Sequence, residues 1–145
     1  MQIRVEDQIK NNNFLKAPTI NKVLVVDDDK DWCFVSRMIL QRAGIGKQIM
    51  TANNGREALT TLQMLTLQGE KLPELIFLDI KMPVMDGFEF LSETSKLTHL
   101  DLSQTKIFIC SSSFHPKDQE RATQFPVAGF LTKPLTQEVL KEILL

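Results

Sequence analysis

Apolar positions along the chain fall into two alternating kinds of segment. Val23–Val26, Leu75–Leu78 and Ile107–Cys110 are short apolar runs with no polar side. Such runs predict strands buried on both faces. Lys47–Thr51 is a weaker strand candidate, and Ala128–Leu131 completes five. Helical spacing lies between them. Trp32, Val35, Met38, Ile39 and Arg42 recur at three- and four-residue steps and predict a helix ending near Gly44. Gly55–Gln68 places Ala58, Leu59, Leu62 and Leu65 on one face, with Asn53 or Asn54 available as N-cap. Phe88–Ser95 reads as a helix capped by Asp86, Pro116–Gln124 as a short helix, and Thr136–Leu144 as a last helix capped by Thr136 with Glu138 in its first turn.

Strands alternating with helices predict an α/β fold, a doubly wound five-stranded parallel sheet with helices on both faces. Right-handed crossovers then bring every strand's C-terminal end to one edge, where ligands of such folds bind. Residues 1–20, with an Asn run and Pro18, predict a loosely ordered extension, and 21–145 a single domain.

Composition narrows the function. The chain has 145 residues, 43% hydrophobic and 24% charged, as expected of a globular domain. A net charge of −1 offers no broad basic footprint for nucleic acid. No apolar run approaches the roughly 18 residues of a membrane span. The N-terminus lacks the hydrophobic core of a signal peptide. Cys33 and Cys110 lie in apolar segments at a spacing that fits neither a zinc site nor a disulfide, which predicts buried thiols in a reducing, cytoplasmic setting.

The strand ends carry the chemistry. Asp27 and Asp28 end the first strand, Asp79 the third, Ser111 the fourth and Lys133 follows the fifth. Two like charges about 4 Å apart repel by roughly 4 kcal/mol at an effective dielectric near 20, so clustered acids call for a positive partner. Oxygen ligands without His or Cys favour Mg2+, or Mn2+, over zinc. Asp29 is explained by the helix it starts. An aspartate can attack a phosphoryl group if the phosphoryl oxygens are neutralised and held. Asp79 is the best-placed nucleophile, with Lys133 and Ser111 as partners for two of those oxygens. His99 and His115 read as solvated, Cys110 as a buried apolar residue and Trp32 as helix core or cleft rim.

The motifs VLVVDDD, LIFLDIKMPVMDGFEFL, IFICSSS and GFLTKPL resemble the receiver domain of two-component response regulators, from about Lys22 to Leu145. The resemblance implies a flavodoxin-like strand order 2-1-3-4-5. It implies that Asp79 accepts a phosphoryl group and that Asp28 ligates the metal. Asp27 would hold a metal-bound water and help place the lysine, and Lys81 would offer its backbone carbonyl to the metal. Ser111 and Phe130 would form the switch pair, and Lys133, before a usually cis Pro134, would bind the phosphoryl group. The implied partners are a sensor histidine kinase or histidine phosphotransfer protein, and a protein target read through the fourth helix, fifth strand and fifth helix. The implied state is a monomer or a weak phosphorylation-dependent dimer, with no output domain of its own, no direct nucleic acid and no membrane. Such a protein is a phosphoacceptor rather than an enzyme in the usual sense.

Three rival readings remain. An aspartyl-phosphate phosphohydrolase needs a second Asp two residues after the nucleophile, where this chain has Lys81. A flavin module needs a Gly- and hydroxyl-rich phosphate loop where this chain has acids. A non-phosphorylated docking receiver needs no lost residue and is left to an assay.

Overall fold

The computed structural model describes residues 20–144. All but the last residue of the extension expected over 1–20 therefore lies outside the described residues. Five strands and five helices alternate: β1 (Lys22–Val26), α1 (Lys30–Arg42), β2 (Gln48–Ala52), α2 (Gly55–Leu67), β3 (Leu75–Asp79), α3 (Gly87–Lys96), β4 (Lys106–Ser111), α4 (Pro116–Ala122), β5 (Gly129–Thr132) and α5 (Gln137–Leu144). The strands form one parallel sheet in the order β2-β1-β3-β4-β5, as expected. Among the described residues no helix is long and apolar enough to cross a membrane.

The apolar runs are buried on both sides because alternate residues feed two separate core layers. Leu24, Val26, Ile76, Leu78, Ile107 and Ile109 face one layer, with side chains from α2 and α3. Val23, Val25, Leu75, Phe77, Phe108 and Cys110 face the other, with Leu40 of α1 and Leu140 of α5. Each fully buried side chain of this size contributes about 1.5–3 kcal/mol over leaving it in water. The weak β2 forms one residue later than expected, as an edge strand held by β1 on one side only.

Helix α1 corrects the sequence reading. Its buried residues are Cys33, Ser36 and Leu40. The stripe through Trp32, Val35, Met38 and Ile39 is split: Trp32 and Ile39 flank the core, while Val35 and Met38 are exposed. Apolar residues surround this helix, so their period alone does not select the inward face. α2 buries Ala58, Leu59 and Leu62 as expected, while Leu65 is only half-buried.

The caps set where helices begin relative to the sheet edge. Asp29 accepts from the N–H groups of Asp31 and Trp32, and Asn54 from that of Glu57. Asp86 and Glu89 form a reciprocal capping box at α3. The Thr136 hydroxyl accepts from Val139 N–H at 3.1 Å. His115, expected to be merely solvated, caps α4: its Nδ1 accepts from Lys117 N–H at 3.1 Å. α4 is shorter than expected, ending at Ala122 rather than near Gln124.

The turn into α3 runs against β3. Gly87 N–H donates to Ile80 O at 2.9 Å, and a Cβ on Gly87 would lie 2.3 Å from Asp79 O. That is closer than real side chains approach, and the obstacle is backbone. Gly87→Ala is therefore expected to destabilise the fold by about 2 kcal/mol or more. The check is urea unfolding, with a lower midpoint at unchanged slope; an unchanged midpoint would show that α3 moves off β3 at no cost.

Candidate functional site

The C-terminal ends of β1 and β3 lie side by side at the centre of the sheet, where the chain crosses from β1 to the edge strand β2 before returning to β3. This is the switch point of a doubly wound sheet, where a crevice forms. Asp27, Asp28 and Asp79 meet there, each with a carboxylate oxygen within 4.8 Å of the others. Their environments differ: Asp27 is buried, Asp79 half-buried and Asp28 exposed.

Asp27 is fixed from both sides. Its backbone N–H donates to Ala52 O at 2.9 Å, and its Oδ1 accepts from Asp29 N–H at 2.9 Å. Its Oδ2 forms a direct ion pair with Lys133 Nζ, across 106 residues of sequence. Lys133 reaches inward from just past β5, where its backbone N–H donates to Ser111 O at 2.9 Å. The Lys133–Pro134 peptide is cis, as the resemblance implied. Lys133 Nζ also lies 3.8 Å from Asp79 Oδ1 and 5.0 Å from the centre of the Trp32 ring. Asp79 Oδ1 accepts from Ile80 N–H at 2.9 Å, and among the described residues no group donates to its Oδ2.

Charge crowding shows in the proton affinities. Burial, and then the charge of Asp27, push the Asp79 carboxyl up to about 6. Burial also raises Asp27, against the opposing hydrogen bond from Lys133. Burial would lower Lys133, but the hydrogen bond and charge of Asp27, with Asp79 behind, hold it above its ordinary value. The neighbouring thiols are inert for the same reason: burial raises Cys33 to about 11 and Cys110 to about 12.

The remaining expected residues surround this centre. Lys81 sits in the loop after β3 with its side chain exposed. The same loop carries Val84 at φ 74, a conformation that branched residues seldom adopt. Ser111 ends β4 but is turned to its own loop: its hydroxyl donates to Ser113 O at 2.7 Å. Phe130 is half-buried in β5 and meets Phe114 edge-to-face, with ring centres 5.5 Å apart. The sequence reading missed Phe114, which partners Phe130. Trp32, expected in the helix core or at the cleft rim, turns its ring to Lys133.

Three carboxylates against one ammonium leave two negative charges uncompensated. The donors are all oxygen, and the half-buried Asp79 carboxylate resists ionising alone. This set fits a hard divalent cation such as Mg2+.

A five-stranded parallel sheet in the order β2-β1-β3-β4-β5, with an acid cluster and one inward lysine at its switch point, defines a flavodoxin-like α/β protein. The sequence matches the family model of the response regulator receiver domain over residues 23–145. The chain belongs to that family, the receiver domains of two-component systems. It is 28% identical to the sensor histidine kinase CheAY of Helicobacter pylori over 94% of its own length, but spans only 16% of that kinase. It is 29% identical to the probable methanogenesis regulatory protein FilR2 of Methanothrix harundinacea, covering 92% of this chain and 84% of that one. Among solved structures, chemotaxis protein CheY4 of Vibrio cholerae superposes with a TM-score of 0.69 at 30% identity, covering 85% of this chain and 94% of that one. A two-component response regulator of Cytophaga hutchinsonii reaches 0.78 at 28% identity, covering 87% and 95%.

Because the Asp79 pKa is raised in the fold, the native state holds this proton more tightly than the unfolded chain does. Its contribution to stability is present at low pH and is lost as pH rises through about 6. Without metal, Asp79→Asn should thus be more stable than the parent at pH 7–8, by roughly 3 kcal/mol. The difference should vanish below pH about 4 and shrink when Mg2+ stabilises the parent. Thermal unfolding across pH, with and without Mg2+, measures this; an Asp79→Asn protein no more stable at pH 8 than at pH 4, relative to the parent, would contradict it.

Proposed function

We propose that this receiver accepts a phosphoryl group on Asp79 from the phosphohistidine of a sensor kinase or phosphotransfer protein, in a Mg2+-dependent reaction. The observation that carries this is the Asp79 carboxylate itself. One oxygen is held by Ile80 N–H, the other has no donor among the described residues, and Lys133 Nζ waits 3.8 Å away. In the step, an Asp79 oxygen bonds to phosphorus, the phosphorus–nitrogen bond to the partner's imidazole breaks, and the imidazole nitrogen takes a proton from water. Asp27, Asp28 and Asp79, with the Lys81 carbonyl, would hold the cation, which when bound supplies positive charge to the phosphoryl oxygens. Ile80 N–H keeps the nucleophile oriented. Lys133 exchanges part of its contact with Asp27 for a phosphoryl oxygen, so the ammonium is already near where charge arrives.

The readout is a population shift. In the resting arrangement Ser111 is tied to Ser113 O, and Phe130 lies against Phe114. Ser111 turning to the phosphoryl group gives up the Ser113 carbonyl, which loosens the segment carrying Phe114 and frees Phe130 to turn inward. The altered α4–β5–α5 face then meets a protein target. Lys81 in place of a second acid favours a phosphoacceptor over a phosphohydrolase.

Intact-mass spectrometry after incubation with acetyl phosphate and Mg2+ tests the reading. One added phosphoryl group, absent with EDTA and absent in Asp79→Asn, is the expected result. If neither acetyl phosphate nor a histidine kinase adds mass, and beryllofluoride leaves Trp32 fluorescence flat, the docking reading replaces it.

A further inference from the structure

One aromatic ring in the cleft has no part in the chemistry above. Trp32 lies in the first turn of α1, where its backbone N–H donates to Asp29 Oδ1 at 3.2 Å. The cap fixes the start of the helix at the end of β1, and with it the place of the indole. The half-buried side chain packs against the core layer that contains Leu135 and Leu140. Its ring faces the Lys133 ammonium, 5.0 Å from the ring centre.

Lys133 therefore shares one ammonium among Asp27, Asp79 and the Trp32 π face, and its side chain is only 16% exposed. These partners differ in kind. A carboxylate binds the ammonium by charge and competes with any other anion for it. An aromatic face attracts the cation through its quadrupole, excludes water and leaves the N–H groups free for an oxygen. Lysine is a point charge on a flexible four-carbon stem, so without a wall it would sample the open mouth of the cleft.

We propose that Trp32 is a positioning residue for Lys133. Its indole face keeps the ammonium in the cleft while the oxygens it serves change from carboxylate to phosphoryl. The consequence for rate rests on Asp79 being the phosphoacceptor; the contact itself does not.

The experiment has a positional arm and a rate arm. In a 1H–13C spectrum the Lys133 Cε protons, assigned by their loss in Lys133→Met, should lie upfield of the other lysines through the indole ring current. Trp32→Leu, which keeps an apolar side chain, should return them to the bulk lysine position, and Trp32→Phe should keep them partly shifted. With acetyl phosphate and Mg2+, Trp32→Leu should lower the rate constant at saturation about fivefold, equivalent to about 1 kcal/mol of barrier, without moving the half-saturating concentration. Trp32→Phe should recover most of the loss. Parent Lys133 protons at the bulk position overturn the assignment. So does a Trp32→Leu rate equal to the parent's, or a Trp32→Phe as slow as Trp32→Leu, which would make side-chain volume the cause. A parent protein that takes no phosphoryl group while its Lys133 protons stay shielded overturns the phosphoacceptor reading and leaves the Trp32 assignment standing.

Discussion

The crowding of negative charge at the centre of the sheet edge is the constraint on which the rest of the site depends. Asp79 is brought to the adjacent pair Asp27 and Asp28 by the pairing of β1 with β3. Lys133 answers part of that charge from the far end of the chain. A buried ion pair of this kind is weak evidence for stability, because desolvation consumes much of the attraction. Its effect is positional. It ties the segment after β5 to the end of β1, and so fixes the mouth of the cleft. The remaining uncompensated charge makes the site receptive to a cation.

Around this charged centre the backbone is arranged to leave little freedom. Ile80 N–H orients Asp79, Gly87 lets α3 start against the β3 backbone, and Gly55 N–H donates to Met85 O to bring α2 up to the same loop. The Asp86–Glu89 capping box adds its own hold on the turn. The position of Asp79 is thus set by main-chain contacts on rigid elements, which is the condition for useful orientation.

The other side of the cleft is held by weaker, replaceable contacts. The Ser111 hydroxyl is bound to a carbonyl two residues on, Phe130 to Phe114, and Arg121 of α4 lies over the Phe88 ring at 4.4 Å. α4 is short and contributes only Ala122 to the buried core. A rigidly held Asp79 beside a loosely held α4 suits a domain in which a local change of charge is proposed to be read at a distance.

Much of the fold was legible because it rests on pattern. A strand buried on both faces must read as a continuous apolar run, so β1, β3 and β4 stand out, and strand–helix alternation dictates a parallel sheet. The acids, hydroxyl and lysine at the strand ends follow from chain direction alone, since every strand of such a sheet points the same way. Pattern fails where a contact depends on rotation or on a partner distant in sequence. The face of α1 is such a case: apolar residues ring that helix, and only packing against the sheet turns Cys33, Ser36 and Leu40 inward. The Lys133–Asp27 pair, the Phe114–Phe130 contact and the Trp32 ring beside the ammonium are others. The sequence alone determined the order of the strands' chemistry along the chain; tertiary structure decided which side chains share a charge, because that requires Lys133, just past the edge strand β5, to reach across to Asp27 at the end of the interior strand β1.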